Sequence, residues 1–183
     1  MKYAWEHKSN KGAERTLLNF GIILLDLLKE KSFEKITIKE ICDKGNYPRA
    51  TFYNYFEDKY DLLKFYSYYL FKNAEFWENS MSTYELFDKV YDYLNQYKDD
   101  IKSILMVNKQ EGELVNFSRR YIRNMILEGM KDSQFKNHQI PYEIISEHYS
   151  NTIELIIKWS FIVDNPITKD DARKYLNYFL ASY

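Results

Sequence analysis

The chain has 183 residues, 45% hydrophobic and 29% charged, which supports a buried core and excludes a disordered chain. A net charge of −1 excludes a global basic field, and only 3 Pro and 5 Gly argue against a turn-rich β fold. The single cysteine excludes an internal disulfide and fits a reducing compartment, and no apolar run reaches the ~18 residues of a membrane span.

With no secretion signal at the N-terminus, a cytoplasmic protein is the default expectation, with no membrane partner. The charge is unevenly placed. Residues 1–60 hold 11 Lys and Arg against 9 Asp and Glu, whereas residues 61–183 hold 15 against 18. The imbalance is small, and its sign favours a nucleic-acid contact in the first third.

Residues 1–9 are polar and read as an arm. From about Asn10, Leu17, Phe20, Leu24, Leu27 and Leu28 recur at spacings of three and four, one face of an amphipathic helix. "KEKSFEK" ends it. "TIKE" (Thr37 to Glu40) is a capping box, so a short second helix follows, with Ile38, Ile41 and Cys42 inward. It breaks at Gly45-Asn46, both tolerant of positive φ. Pro48 suits the first turn of a third helix, in which Phe52 and Phe56 share a face. Asp58 caps a fourth helix that runs to about Asn79.

The remainder also reads as helical. "STYE" (Ser82 to Glu85) is a second capping box, followed by Phe87, Val90, Tyr91 and Leu94. A short helix holds Ile101, Ile104 and Leu105, and a loop near Gly112 leads into Leu114–Met130. Pro141 opens a long helix reaching Val163, "NPITKDD" forms a turn and cap, and a last helix runs to the C-terminus. The expectation is an all-α protein, a three-helix head over residues 1–57 joined to a larger helical body over residues 58–183.

Two short helices joined by a Gly-Asn turn, after a longer packing helix, describe a helix-turn-helix. With the core residues of the third helix removed, Arg49, Thr51, Tyr53, Asn54 and Tyr55 remain to face outward. These types suit duplex DNA: Arg pairs with guanine, Asn with adenine, Thr meets a thymine methyl or a phosphate, and Tyr donates to phosphate. Thr37 and Lys59 stand at helix starts, where phosphates are held.

"ITIKEICDKGNYPRATFYNYFEDKYDLL", preceded by "TLLNFGIILLDLLKEKSFEK", strongly resembles the DNA-binding domain of the TetR family of bacterial transcription regulators. "TFYNYFEDKYDLL" is its most specific part, and the resemblance covers roughly residues 10–70. It implies a DNA-binding head, a helical body that binds a small-molecule effector and dimerises, and a palindromic operator. By position it implies DNA contacts from Arg49, Thr51, Tyr53 and Asn54, with Thr37 and Lys59 on phosphates. Two positions depart from the family pattern: Asn46 replaces the usual turn glycine, and Pro48 the usual small polar residue. This spelling also looks like a branch that includes activators of dihydroxyacetone-kinase operons.

No nucleophile–base pair, carboxylate pair, glycine-rich phosphate loop or metal spacing appears. An enzyme is therefore not expected, and no cofactor or metal is assigned. Cys42 reads as a small buried hydrophobe, and His7, His138 and His148 lack metal-site spacing. "SRRYIR" (Ser118 to Arg123) reads as a solvated face. Trp77, Tyr91, Phe117, Tyr121, His148 and Trp159 are candidates to line an effector pocket. Tyr149, Ile153 and Ile156 on the long helix, with Tyr175, Leu176 and Phe179 on the last, form apolar stripes expected to pack against a second copy.

Overall fold

The computed structural model describes residues 11–73, 83–108, 112–130, 140–163 and 165–180. Among them the protein is helical without strands, as the scarcity of glycine and proline leads one to expect. The helices are α1 (Lys11–Glu30), α2 (Ile38–Gly45), α3 (Arg49–Tyr55), α4 (Lys59–Asn73), α5 (Thr83–Gln96), α6 (Lys98–Val107), α7 (Glu113–Met130), α8 (Tyr142–Phe161) and α9 (Lys169–Leu180). A single 3-10 turn, Phe33–Lys35, joins α1 to α2. The chain divides into two compact units, residues Met1–Glu75 with Met106–Asn108, and residues Phe76–Leu105 with Lys109–Tyr183. Two expected features, Trp77 in the pocket and Ser82 in the second capping box, lie outside the described residues, as do His7 and His138.

In the first unit α1 buries Leu17, Phe20, Leu24, Leu27 and Leu28, the face marked by their spacing. Phe20 is its aromatic centre. Its ring meets Phe52 of α3 edge-on at 5.4 Å and Phe56 at 6.2 Å between centroids. Such pairs add about 0.5–1.5 kcal/mol to the area they bury. The 3-10 turn buries Phe33 completely, although the sequence there reads only as a helix end.

α1 and α4 cross at Gly21. A Cβ there would lie 2.0 Å from Cδ2 of Tyr66. The glycine serves close approach; only Asn46 among the described residues has positive φ outside glycine, and no described glycine does.

The second unit has its own core. Phe87 and Tyr91 from α5, Ile145, Tyr149, Ile156 and Phe161 from α8, and Ala172 and Leu176 from α9 pack together. Burial pushes the Tyr149 hydroxyl above its ordinary pKa. Pro141 stands at the N-cap of α8, and the Thr168 hydroxyl caps α9 by accepting from the Asp171 N–H at 3.1 Å. Arg119 pairs with Glu154 and Arg123 with Glu147, so the "SRRYIR" face binds α7 to α8 at the surface.

α8 is apolar on two sides, as its sequence requires. Ile145, Tyr149 and Ile156 face inward, while Ile144, Leu155 and Trp159 are exposed. On α9, Ala172 and Leu176 face inward, while Tyr175, Tyr178 and Phe179 are exposed.

Gly21→Ala is expected to force Tyr66 out of place and to lower stability by about 1–3 kcal/mol. A urea midpoint that falls with an unchanged denaturant slope checks this; an unmoved midpoint would show that Tyr66 yields without cost.

Candidate nucleic-acid interface

The interface is built from the turn upward. Thr37 begins α2 with φ −109° and ψ 152°, and the expected capping box is formed. Its hydroxyl accepts from the Glu40 N–H at 3.2 Å, while Glu40 Oε2 accepts from the Thr37 N–H and hydroxyl, both at 2.9 Å. Lys31 donates to the other Glu40 oxygen. These bonds, the Lys31 contact first, hold the Glu40 carboxyl at about 2 against an ordinary 4.5.

The turn itself relies on one residue. Asn46 takes the left-handed conformation, φ 53° and ψ 42°, and Gly45 does not. Asn tolerates this region without the steric cost that Cβ imposes on most residues. The N–H of Tyr47 then bonds the Cys42 carbonyl at 2.9 Å. The Tyr47 ring packs on Phe20 at 4.7 Å, and its hydroxyl accepts from Asn19 Nδ2 at 3.0 Å. Tyr47 thus pins the turn to α1. Cys42 is buried beside it, and burial pushes its thiol up, as expected of an inert small hydrophobe.

Pro48 stands one position before α3 and caps it by its carbonyl, which accepts from the Thr51 N–H at 2.9 Å. The expected first-turn proline is therefore an N-cap proline, a shift of one residue. Within α3, Phe52 is wholly buried. Its burial turns Arg49, Ala50, Tyr53 and Asn54 outward, with Thr51 and Tyr55 half-buried on the flanks. Tyr53 is 43% exposed, and its ring rests edge-on against Phe52 at 5.6 Å. Ala50 was missed by residue type, because a methyl group carries no obvious chemistry. Its spacing of three and four to Tyr53 and Asn54 places it on their face.

The two outlying candidates have other work. Lys59 Nζ donates to the carbonyls of Phe33 at 2.8 Å, Glu34 at 3.1 Å and Ile36 at 3.1 Å. It also lies 4.6 Å from the centroid of the Phe33 ring. An ammonium has three hydrogens, so none is left for a phosphate in this structure. The N-terminus of α4 is likewise closed, because Asp58 Oδ1 accepts from the N–H groups of Tyr60 at 2.8 Å and Asp61 at 2.9 Å. Both donors of Thr37 are held by Glu40 as described above. Thr37 and Lys59 frame the helix-turn-helix, whereas the face of α3 is open.

Charge follows the same division. On α2, Lys44 pairs with Glu30 at 2.8 Å and Lys39 approaches Asp43 at 3.9 Å. Among the described residues of α2 and α3, Arg49 is the cation without such a partner.

The effector and dimer candidates share the second unit and in part the same core. Tyr91 packs in its own core against Phe161 at 4.9 Å, and Phe117 stacks with Tyr121 at 6.3 Å. His148 is half-buried, with Nε2 3.3 Å from the Phe179 carbonyl oxygen, and Trp159 is 49% exposed. Tyr149, Ile156 and Leu176 are core residues and Ile153 packs against them. A side chain already buried in its own chain has no area left to bury against a copy, so of the dimer candidates Tyr175 and Phe179 are the ones that offer surface.

A short helix anchored from behind, displaying Arg, Ala, Tyr and Asn after a left-handed turn, defines a helix-turn-helix of the kind DNA-binding regulators use. Residues 25–64, from the middle of α1 into α4, match the family model of bacterial regulatory proteins, tetR family. The match supports a TetR-type DNA-binding transcription regulator. No curated protein and no solved structure matches the chain. Among the described residues no cluster of His, Cys, Asp or Glu could hold a metal, and no helix is long and apolar enough to cross a membrane.

The Glu40 bonds give an acid signature. A depressed carboxyl contributes stability above its ordinary 4.5 and loses that contribution as pH falls toward about 2. Glu30, lowered chiefly by its bond from Lys44, acts in the same direction. Glu40→Gln is expected to lower stability at pH 7 and to narrow its gap to the wild type as pH falls through that window, with salt reducing the effect. Urea midpoints across pH 7 to about 2.5 measure it, and a gap that stays constant would contradict the assignment.

Proposed function

We propose that this protein is a homodimeric transcription regulator that binds a palindromic operator and responds to a small-molecule effector. The observation that carries the reading is the open face of α3, Arg49, Ala50, Tyr53 and Asn54, within the segment that matches the tetR model. In this reading residues 1–57 supply DNA binding, and residues 58–183 supply effector binding and dimerisation. Arg49 and Asn54 read base edges, Thr51 and Tyr55 flank them, and Tyr53 donates to a phosphate. Thr37 and Lys59 act by holding the frame. An effector would draw on the aromatic side chains of the body, with Phe117, Tyr121 and His148 the half-buried ones among the described candidates. The reading covers a repressor, and equally an activator of the dihydroxyacetone-kinase operon type. Such a regulator works in the cytoplasm.

The dimer surface in this proposal is the outer side of α8 and α9: Leu155, Trp159, Tyr175, Tyr178 and Phe179. Tyr178 is 78% exposed, an unusual placement for an aromatic beside other exposed aromatics. Packing this side against its copy gives a four-helix interface, and a two-fold axis would set half-sites about one DNA turn apart, ~34–36 Å or a multiple.

A second reading, an interaction module of the same fold, is favoured by one observation: Lys31, Lys44 and Lys59 are all engaged within the head. Selection of duplexes from a random pool, repeated at two salt concentrations, separates the two. A regulator enriches a palindrome with salt-dependent affinity. No enrichment at low salt supports the module.

Arg49→Ala is expected to weaken the selected site by about 1–3 kcal/mol and to relax preference at one position in each half-site. Equal loss on all sequences would make Arg49 a phosphate contact instead. Trp159→Glu and Phe179→Glu are expected to convert a dimer into a folded monomer by light scattering, because both side chains are exposed within the protomer. A wild-type monomer at micromolar concentration would remove the dimer and the palindrome together.

A further inference from the structure

The junction between α1 and α2 leaves polar groups that its own sequence does not satisfy. Ser32 precedes the 3-10 turn and makes no side-chain cap bond. The Phe33 N–H, as the first of the turn, has no helical acceptor either. Leu28 lies in the last turn of α1, where carbonyls lack helical partners, and the next helical bond, Lys31 N–H to Leu27, passes it by.

Asn108 supplies both missing partners. Its Oδ1 accepts from the Phe33 N–H at 2.8 Å, and its Nδ2 donates to the Leu28 carbonyl at 3.0 Å. The residue is only 2% exposed, so water does not reach the site to substitute. It lies 75 and 80 positions from its partners and directly follows α6, whose Lys98–Leu105 part belongs to the other unit. Beyond Phe33, Lys59 takes the carbonyls of Phe33, Glu34 and Ile36, and Thr37 then opens α2. The path from the end of α1 to the first residue of the helix-turn-helix is thus held by two side chains, one at each end.

We infer that Asn108 is a positioning residue for DNA binding: its carboxamide fixes the turn at Phe33 and through it the placement of α2 and α3. This rests on the DNA-binding reading above. Without the amide, Phe33 N–H and Leu28 C=O are left buried and unpaired, or the turn opens to water. Either response moves Phe33–Thr37 and lowers the share of molecules whose α3 is set for DNA.

The test uses the full-length protein and a duplex selected by the wild type, well below the melting temperature, with folding verified by circular dichroism. Asn108→Ala is expected to bind that duplex about tenfold more weakly or worse while remaining folded. Asn108→Asp is the more telling variant. Its carboxylate can accept from Phe33 N–H but cannot donate to Leu28 C=O. Its neutral acid offers one acceptor and one donor, as the amide does. Affinity relative to the wild type at the same pH is therefore expected to recover as pH is lowered.

A purely stabilising role would lower the melting temperature of both variants and leave this ratio flat with pH. A flat ratio, or a folded Asn108→Ala that binds as the wild type does, overturns the inference. Should Asn108→Ala fail to fold, the Asp variant, of the same shape, decides alone. If the wild type selects no duplex, the DNA reading fails. Amide exchange at Phe33 then decides what Asn108 does: faster exchange in the variants keeps it as the holder of the turn, and unchanged exchange overturns that as well.

Discussion

A helix as short as α3, Arg49–Tyr55, cannot hold itself in water, because helix nucleation costs more than so few bonds return. Its existence depends on Phe52 and Phe56 seating against Phe20 of α1. That contact fixes rotation as well as position. With Phe52 wholly buried, helical geometry decides which residues face water, and Arg49, Ala50, Tyr53 and Asn54 follow. The set of side chains exposed on α3 is thus a consequence of where one ring is buried.

The supporting polar bonds answer a different need. Short helices and tight turns leave many backbone groups without regular partners. Asn46 meets this by adopting the left-handed conformation, Asp58 by capping α4, and Thr37 with Glu40 by capping each other. Lys59 meets it by spanning three carbonyls at once. Lys59 thus spends its charge inside the head, and Lys31 and Lys44 are paired at its surface. On α2 and α3, Arg49 is the cation left without a carboxylate partner among the described residues.

The local part of this was legible in the sequence. The apolar spacing from Leu17 to Leu28, the capping box at Thr37, the break at Gly45-Asn46 and the shared face of Phe52 and Phe56 all depend on residues within a few positions of each other. What escaped depends on distance in the chain. Lys59 carries phosphate-binding chemistry, and only the fold shows that the carbonyls of Phe33, Glu34 and Ile36 already occupy its donors. Asn108 has no local signal, since its partners are 75 and 80 positions away. In α8 and α9 the apolar spacing showed two stripes without saying which faces inward. Leu155 and Ile156 are neighbours of equal hydrophobicity, and one is exposed while the other is core. The shared core with α5 and α9 settles that choice, and periodicity alone does not.

The crossing of α1 and α4 couples two positions that evolution would otherwise treat separately. Tyr66 occupies the space that any side chain at position 21 would need. A chain descending from this one can enlarge position 21 only after shrinking position 66, and shrinking position 66 first opens a void in the same core. Each single step carries its own cost, and the two effects do not simply add. Positions 21 and 66 are thus coupled: what either can accept depends on the residue at the other.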